Sequence, residues 1–283
     1  MASPQIEQFW NDLVADIKAN RVELPALPDI PLKVRQMLDR GNVTSEQLAK
    51  VINADVVLST RLLRVVNSPL YRTARQVDDV KAAITRLGNS NVRSIVTTLA
   101  MEQLFQHKLA SPMKMKFLEQ IWSHSINVAA LSHVIAREYT SIKADEAMLA
   151  GLIHDIGKLP ILEYSDLIPE LAENEQAMNK ILSVLHTKVG TLTLRAWKFS
   201  SELVMVAAEH EDLQRDPGVD GDLTDVVLIA NLLSHVGTDH PLTKEDWSEI
   251  PSFQRLALTP EESIAILNDA REEIAEIKQL FAA

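Results

Sequence analysis

The chain of 283 residues contains no cysteine, which rules out disulfides, thiolate metal sites and cysteine nucleophiles. Glycine is scarce, at eight residues, which disfavours a turn-rich all-β fold. Aromatic residues make up only 5% of the chain, so Leu, Ile, Val and Ala must supply the apolar mass. Positive charge is also short: 28 Lys and Arg stand against 39 Asp and Glu, a net charge of −11, with no basic run. That balance argues against a partner recognised by its phosphate backbone, so no nucleic-acid partner is expected. No apolar run approaches the roughly 18 residues of a membrane-spanning helix, and no membrane insertion is expected. The stretch from Met1 to Asn20 is amphipathic, with Glu7, Asp12 and Asp16, and lacks the basic start and apolar centre of a signal peptide. The expected location is the cytoplasm.

What is present is helical. Hydrophobic residues reach 46%, enough for a substantial core. A 3.6-residue periodicity predicts helices from Pro4 to Ala19, Leu32 to Leu38, Val56 to Val66, Val80 to Leu87, Ser90 to Phe105, Phe117 to Tyr139, Ala144 to His154, Asn179 to Trp197, Glu202 to His210 and Leu223 to Val236. Thr44-Ser-Glu-Gln47 and Thr259-Pro-Glu-Glu262 read as capping boxes, and the second opens a last helix running to about Leu280. Leu24-Pro-Ala-Leu-Pro-Asp-Ile-Pro31 reads as an extended connector, because its prolines oppose helix. The apolar residues between Val57 and Val66 cover more than one face, which predicts a central core helix. The expected fold is all-α. It has two helical lobes, residues 1–110 and 111–283, meeting near Ser111-Pro112.

The most informative stretch is Gly151-Leu-Ile-His-Asp-Ile-Gly-Lys-Leu-Pro160. His154 and Asp155 offer an imidazole nitrogen and a hard carboxylate oxygen, the mixed donors that suit a divalent metal. Neighbouring residues converge only at a helix end or bend, and Gly157 marks one. Lys158 would set a cation beside a bound phosphate. Around this pair the second half carries His124, His186, Glu209-His210-Glu211 and Asn231 on successive helices, where their side chains could meet in a bundle core. His107, His133, His235 and His240 have no constellation around them and are read as structural. Asn67 reads as a helix-terminating cap.

The order of a first histidine, a His-Asp pair and a late acidic position resembles the HD superfamily of metal-dependent phosphohydrolases. His124 corresponds to the first histidine, and His154 and Asp155 to the pair. Gly157-Lys158, His186 and His210 correspond to features of its cyclic-dinucleotide branch, HD-GYP. Two departures stand out: Asn231 occupies the late aspartate position, and Asp212 to Asp222 holds no Gly-Tyr-Pro element. The chain as a whole is more similar to the HDOD domain, a divergent relative. Leu24-Pro-Ala-Leu-Pro28, Arg61-Leu-Leu-Arg-Val-Val-Asn-Ser-Pro-Leu-Tyr71, Ala83-Ile-Thr-Arg-Leu-Gly88 and Gly151 to Leu159 carry that resemblance, over roughly Leu24 to Leu233.

The resemblance implies an all-helical fold and a signalling or regulatory role. It implies a metal set of His124, His154, Asp155, His186, His210 and Asn231 for a divalent transition metal (Fe, Mn, Ni or Zn). Asparagine offers only a neutral carbonyl oxygen where aspartate brings charge, so the late position predicts weakened binding. A weakened or empty site suits a non-catalytic module that binds a protein partner or a small phosphorylated ligand. The alternative is a metal-dependent phosphohydrolase of a nucleotide or cyclic dinucleotide. In that case Asp155 is ligand and proton acceptor, and Lys158 stabilises phosphate charge.

Overall fold

The structure, a computed structural model, describes residues 4–19, 21–22, 24–71, 75–105, 111–171, 174–218 and 220–281. His107 lies outside these residues. Among the described residues no strand occurs, as the periodicity predicts.

The first half holds α1 (Pro4–Lys18), α2 (Asp29–Asp39), α3 (Ser45–Ile52), α4 (Val56–Val66) and α5 (Val80–Met101). The three-residue reach of a capping side chain sets several of their starts. Thr44 and Gln47 form a reciprocal capping box at α3, and Asp55 accepts from the Leu58 amide at 2.9 Å to open α4. Gly88, at φ 77°, breaks α5 into two helical runs, a backbone angle that only glycine adopts cheaply. Two expectations need correction. The second helix starts at Asp29 rather than Leu32, because Pro31 falls in the first turn, where an amide hydrogen has no intrahelical partner anyway. Helix α4 is not buried all round. Leu58, Leu62, Val65 and Val66 face the core, while Val56 and Val57 are 74% and 67% exposed. Asn67 does end α4: its side chain donates to the Leu63 and Val77 carbonyls and accepts from the Val77 amide, tying the following loop down.

The second half holds α6 (Pro112–Tyr139), α7 (Ala144–Ile153), α8 (Lys158–Tyr164), α9 (Glu175–Ala196), α10 (Ser201–Glu209), α11 (Leu223–Ser234), α12 (Pro251–Arg255), α13 (Pro260–Asp269) and α14 (Arg271–Phe281). The expected single terminal helix is two, parted at Ala270, which leaves helical geometry at φ −99°, ψ 16°. No glycine or proline marks that break in the sequence.

Helices α6 and α7 form the spine. Their backbones approach closely because Gly151 has no side chain. A Cβ there would lie 2.7 Å from Ser132 Oγ and 2.8 Å from the Val128 carbonyl. Helix α11 packs on both α6 and α7, α10 packs on α9 and α11, and α8 lies on α9. On its other side α7 receives α5, so the buried apolar side chains form one continuous core running from α1 to α14. Among the described residues no helix is long and apolar enough to cross a membrane.

Candidate metal centre

The site forms where α7 stops. The helix ends at Ile153, His154 caps it, and a tight turn leads to α8 at Lys158. That turn brings the His154 and Asp155 side chains together, Nε2 3.3 Å from Oδ2, which a continued helix could not do, since consecutive side chains diverge by about 100°. Gly157 serves here by its small size rather than by an unusual backbone angle. A Cβ on it would lie 2.0 Å from the His186 carbonyl and 2.3 Å from the Gly190 amide nitrogen. The turn is thus pressed against α9 at His186 and Gly190.

Four imidazoles converge on the Asp155 carboxylate. His154 Nε2 and His124 Nε2 lie 3.3 and 3.7 Å from Asp155 Oδ2. His186 Nε2 and His210 Nε2 lie 3.5 and 3.7 Å from Oδ1. Each ring is oriented from behind. The Nδ1 atoms of His154, His186 and His210 donate to the carbonyls of Gly151, Leu182 and Val206 at 2.6, 2.8 and 3.0 Å. A carbonyl can only accept, so Nδ1 carries the proton in all three and Nε2 is left for the cavity. For His124 the reasoning passes through Ser234. Its hydroxyl proton goes to the Asn231 carbonyl at 2.7 Å, so His124 Nδ1 donates to Ser234 Oγ, at 3.5 Å.

The consequence is electrostatic. His124 Nε2 faces His154 Nε2 at 3.1 Å, and His186 Nε2 faces His210 Nε2 at 3.3 Å. Burial pushes protonation of His154 down, holds His124 well below the usual imidazole range with help from His154, and takes His186 to about 4. Opposed lone pairs repel unless a cation lies between them. Asp155 is a carboxylate: burial alone would raise it, but Lys158 and His154 hold it well below its ordinary value. Its Oδ1 is buried without a hydrogen-bond partner. Such a donor set could hold a divalent ion, with a carbonyl or hydroxyl behind each imidazole fixing its ring. Two groups of three could each hold an ion, His124–His154–Asp155 and Asp155–His186–His210, with Asp155 common to both. A tetrahedral ion bound at about 2.1 Å holds its ligands roughly 3.4 Å apart, close to the separations above.

Asn231 sits one turn before Ser234 on α11, and its Oδ1 is buried without a hydrogen-bond partner. His186 and His210 are fully buried, 0% and 1% exposed, where Gly157 lets the turn before α8 close on α9. The partly exposed members are His124 and Lys158. Lys158 begins α8 and pairs directly with Asp155 Oδ2.

Four residues were missed or left open by sequence. Of the two glutamates flanking His210, Glu209 pairs with Arg215 at 3.2 Å, while Glu211 brings Oε1 to 3.6 Å from His186 Nε2. His235 and His240, read as isolated, stack on one another at 3.7 Å, and His235 also stacks on His124 at 5.1 Å. Burial and the neighbouring His240 take His235 down to about 4. His235 follows Asn231 by four residues, so a shared helix face was readable. His240 arrives from a loop and carried no signal.

An all-helical chain with a buried carboxylate ringed by imidazoles belongs to the class of His-Asp helical proteins. Residues 24–213 match the HDOD domain, and the chain belongs to that family. The matched segment includes every site residue up to Glu211 and ends before Asn231. A solved structure from Shewanella amazonensis SB2B, named as a candidate metal-dependent phosphohydrolase, is 25% identical. It superposes with a TM-score of 0.83, over 98% of this chain and 99% of that one. An HDOD domain protein with unknown function from Geobacter sulfurreducens is 22% identical, with a TM-score of 0.67 over 95% and 96% of the two chains. An uncharacterized protein of Treponema pallidum (strain Nichols) is 21% identical over 242 residues, 81% of this chain. The present chain spans about 45% of that relative's length.

Proposed function

We propose that the chain is a regulatory, non-catalytic signalling module of the HDOD type. Its second lobe, starting at Ser111, holds a divalent transition metal, and its output is a contact with a protein partner or a small phosphorylated ligand. The observation that carries this reading is the state of Lys158. A hydrolase needs a cation free to meet phosphate charge and an open coordination position for water. Here the Lys158 ammonium is spent on Asp155, and His154, Asp155, His186 and His210 are all buried. Asn231 adds no negative charge at the late position. The acidic balance of the chain supports a partner other than nucleic acid.

The second reading, a metal-dependent phosphohydrolase of a nucleotide or cyclic dinucleotide, is favoured by four Nε2 atoms aimed at one carboxylate, and by likeness to the Shewanella protein. A bound ion would supply Lewis-acid activation of water. For that chemistry His124, His154, His186, His210 and Asp155 would hold the ion, and Lys158 would have to leave Asp155 to reach a phosphate. Product formation from cyclic dinucleotide, followed over time with Mn²⁺- or Fe²⁺-loaded wild type and Asp155→Ala, separates the two. The expected result is equal, negligible rates. Efficient wild-type turnover that vanishes in the variant would overturn the non-catalytic reading.

A further inference from the structure

The two halves of the centre are not equivalent, and the difference lies in what each oxygen of Asp155 already touches. Oδ2, the oxygen facing His124 and His154, is taken by Lys158 Nζ. Oδ1, the oxygen facing His186 and His210, is buried with no hydrogen-bond partner. A buried, unpartnered carboxylate oxygen is costly to leave that way, so Oδ1 is the oxygen that most needs a cation.

Charge points the same way. On the Oδ1 side Glu211 brings a second carboxylate to 3.6 Å from His186 Nε2. His186–His210 at 3.3 Å and the Asp155 separations of 3.5 and 3.7 Å match the three edges of one face of a tetrahedral site, and the half-exposed Glu211 side chain, beside His186, needs only to swing inward to close the fourth corner. Glu209, the other acid flanking His210, is held away by Arg215. On the Oδ2 side the charge is reversed. An ammonium already stands on the carboxylate, and a divalent ion bound there would meet a like charge at close range.

We infer that this is a one-ion centre, with the ion held by His186, His210, Asp155 Oδ1 and Glu211, and with the Lys158 ammonium standing on Asp155 Oδ2 in place of a second cation. The inference rests on the reading of this cluster as a metal centre. It assigns Glu211 as a ligand and gives Lys158 a new role: it caps the bridging oxygen and keeps the His124 half empty. Lys158 reaches Asp155 from three residues along, across the turn, so the cap is local and needs no other element to move.

The test uses the full chain stripped with chelator, re-equilibrated with Mn²⁺, and analysed for bound metal after gel filtration. Electron paramagnetic resonance then distinguishes an isolated ion from a carboxylate-bridged, exchange-coupled pair. Wild type should take up one Mn²⁺ with the signal of an isolated ion. Lys158→Met should take up two and show coupling. Lys158→Gln, which keeps a neutral donor beside Asp155, should do the same and covers the case in which Lys158→Met loses its helical circular dichroism. Glu211→Gln should weaken the single wild-type ion on the order of 10- to 100-fold, while Glu209→Gln should leave it unchanged. Two ions in wild type, or one in both Lys158 variants, would overturn the one-ion inference and leave the metal reading intact. No uptake by any of these proteins would instead overturn the metal reading, and the inference with it.

Discussion

At the scale of single residues, the centre depends as much on a missing side chain as on those present. Gly157 offers no donor, yet it allows the turn after His154 to lie against α9. In Gly157→Ala the new methyl would meet the His186 carbonyl and the Gly190 amide, both main-chain atoms that cannot rotate away. Overpacking typically costs about 1–3 kcal/mol, and a backbone clash belongs at the upper end. The expected outcome is a lower unfolding midpoint together with weaker Mn²⁺ uptake, because His186 is displaced from Asp155. A variant as stable and as metal-competent as wild type would show that the turn has slack the distances deny. His154, Asp155, His124, His186 and His210 were legible through the motif order that resembles the HD superfamily, and the structure brings them together around one carboxylate. The sequence could not choose between Glu209 and Glu211. That choice is made by Arg215, which is 3% exposed and gathers Glu209, Asp222 and Asp225 around it.

At the scale of elements, α7 is held at both ends by polar groups. Its C-terminal end carries His154. Its first turn carries Asp145, which accepts a hydrogen bond from Tyr71 of the first half and lies 3.9 Å from His133 Nε2 on α6. His133 in turn lies 3.7 Å from Glu273 of α14, which also pairs with Arg137. Burial raises Asp145 to about 6, only partly countered by Tyr71, and burial with nearby Arg137 lowers His133 to about 4. For Asp145 the folded value stands above the unfolded value of about 3.9. Its contribution is therefore full below about pH 4 and is lost as pH rises through 6. His133 has the opposite sign, contributing above about pH 6.5 and failing as pH falls through 4. The difference in stability between wild type and Asp145→Asn isolates the first effect. It should move by roughly 2–3 kcal/mol between pH 4 and pH 7, with wild type losing ground to the variant as pH rises. Urea unfolding at four or five pH values measures this, and a flat difference would mean that Asp145 titrates normally. Helix starts of this kind were readable where a cap announced them, as at Thr44, Asp55 and Thr259. The end of α13 at Ala270 was not, because the break is imposed by α14 turning back onto α6 rather than by any local residue preference.

At the scale of the whole molecule, the question is whether the two lobes proposed on either side of Ser111 act as one body. Several contacts cross between them. Helix α5 packs on α7, the Tyr164 hydroxyl donates to Asp16 at 2.9 Å, the Trp197 indole donates to the Pro25 carbonyl at 2.6 Å, and Arg35 reaches the Trp197 carbonyl. Arg61 of α4 donates to the Leu280 carbonyl of α14 at 3.4 Å. The apolar residues of both lobes belong to one core, so exposing either lobe alone would uncover the faces of α5 and α7 that now bury each other. A ligand that binds only the folded state stabilises by about 2.7 kcal/mol at a free concentration one hundred times its dissociation constant. In a chain of this size that raises the midpoint by roughly 5–10 °C. Metal bound near α8 and α9 should therefore raise the unfolding of the entire chain, the first 110 residues included. Scanning calorimetry of the metal-free and Mn²⁺-loaded protein should show one transition in each, displaced upward by the ion, and no displacement in Asp155→Ala. Two transitions of which only one responds to Mn²⁺ would mean that the lobes unfold separately, and that the contacts made by Tyr71, Arg35 and Arg61 do not carry the state of the centre to the other half.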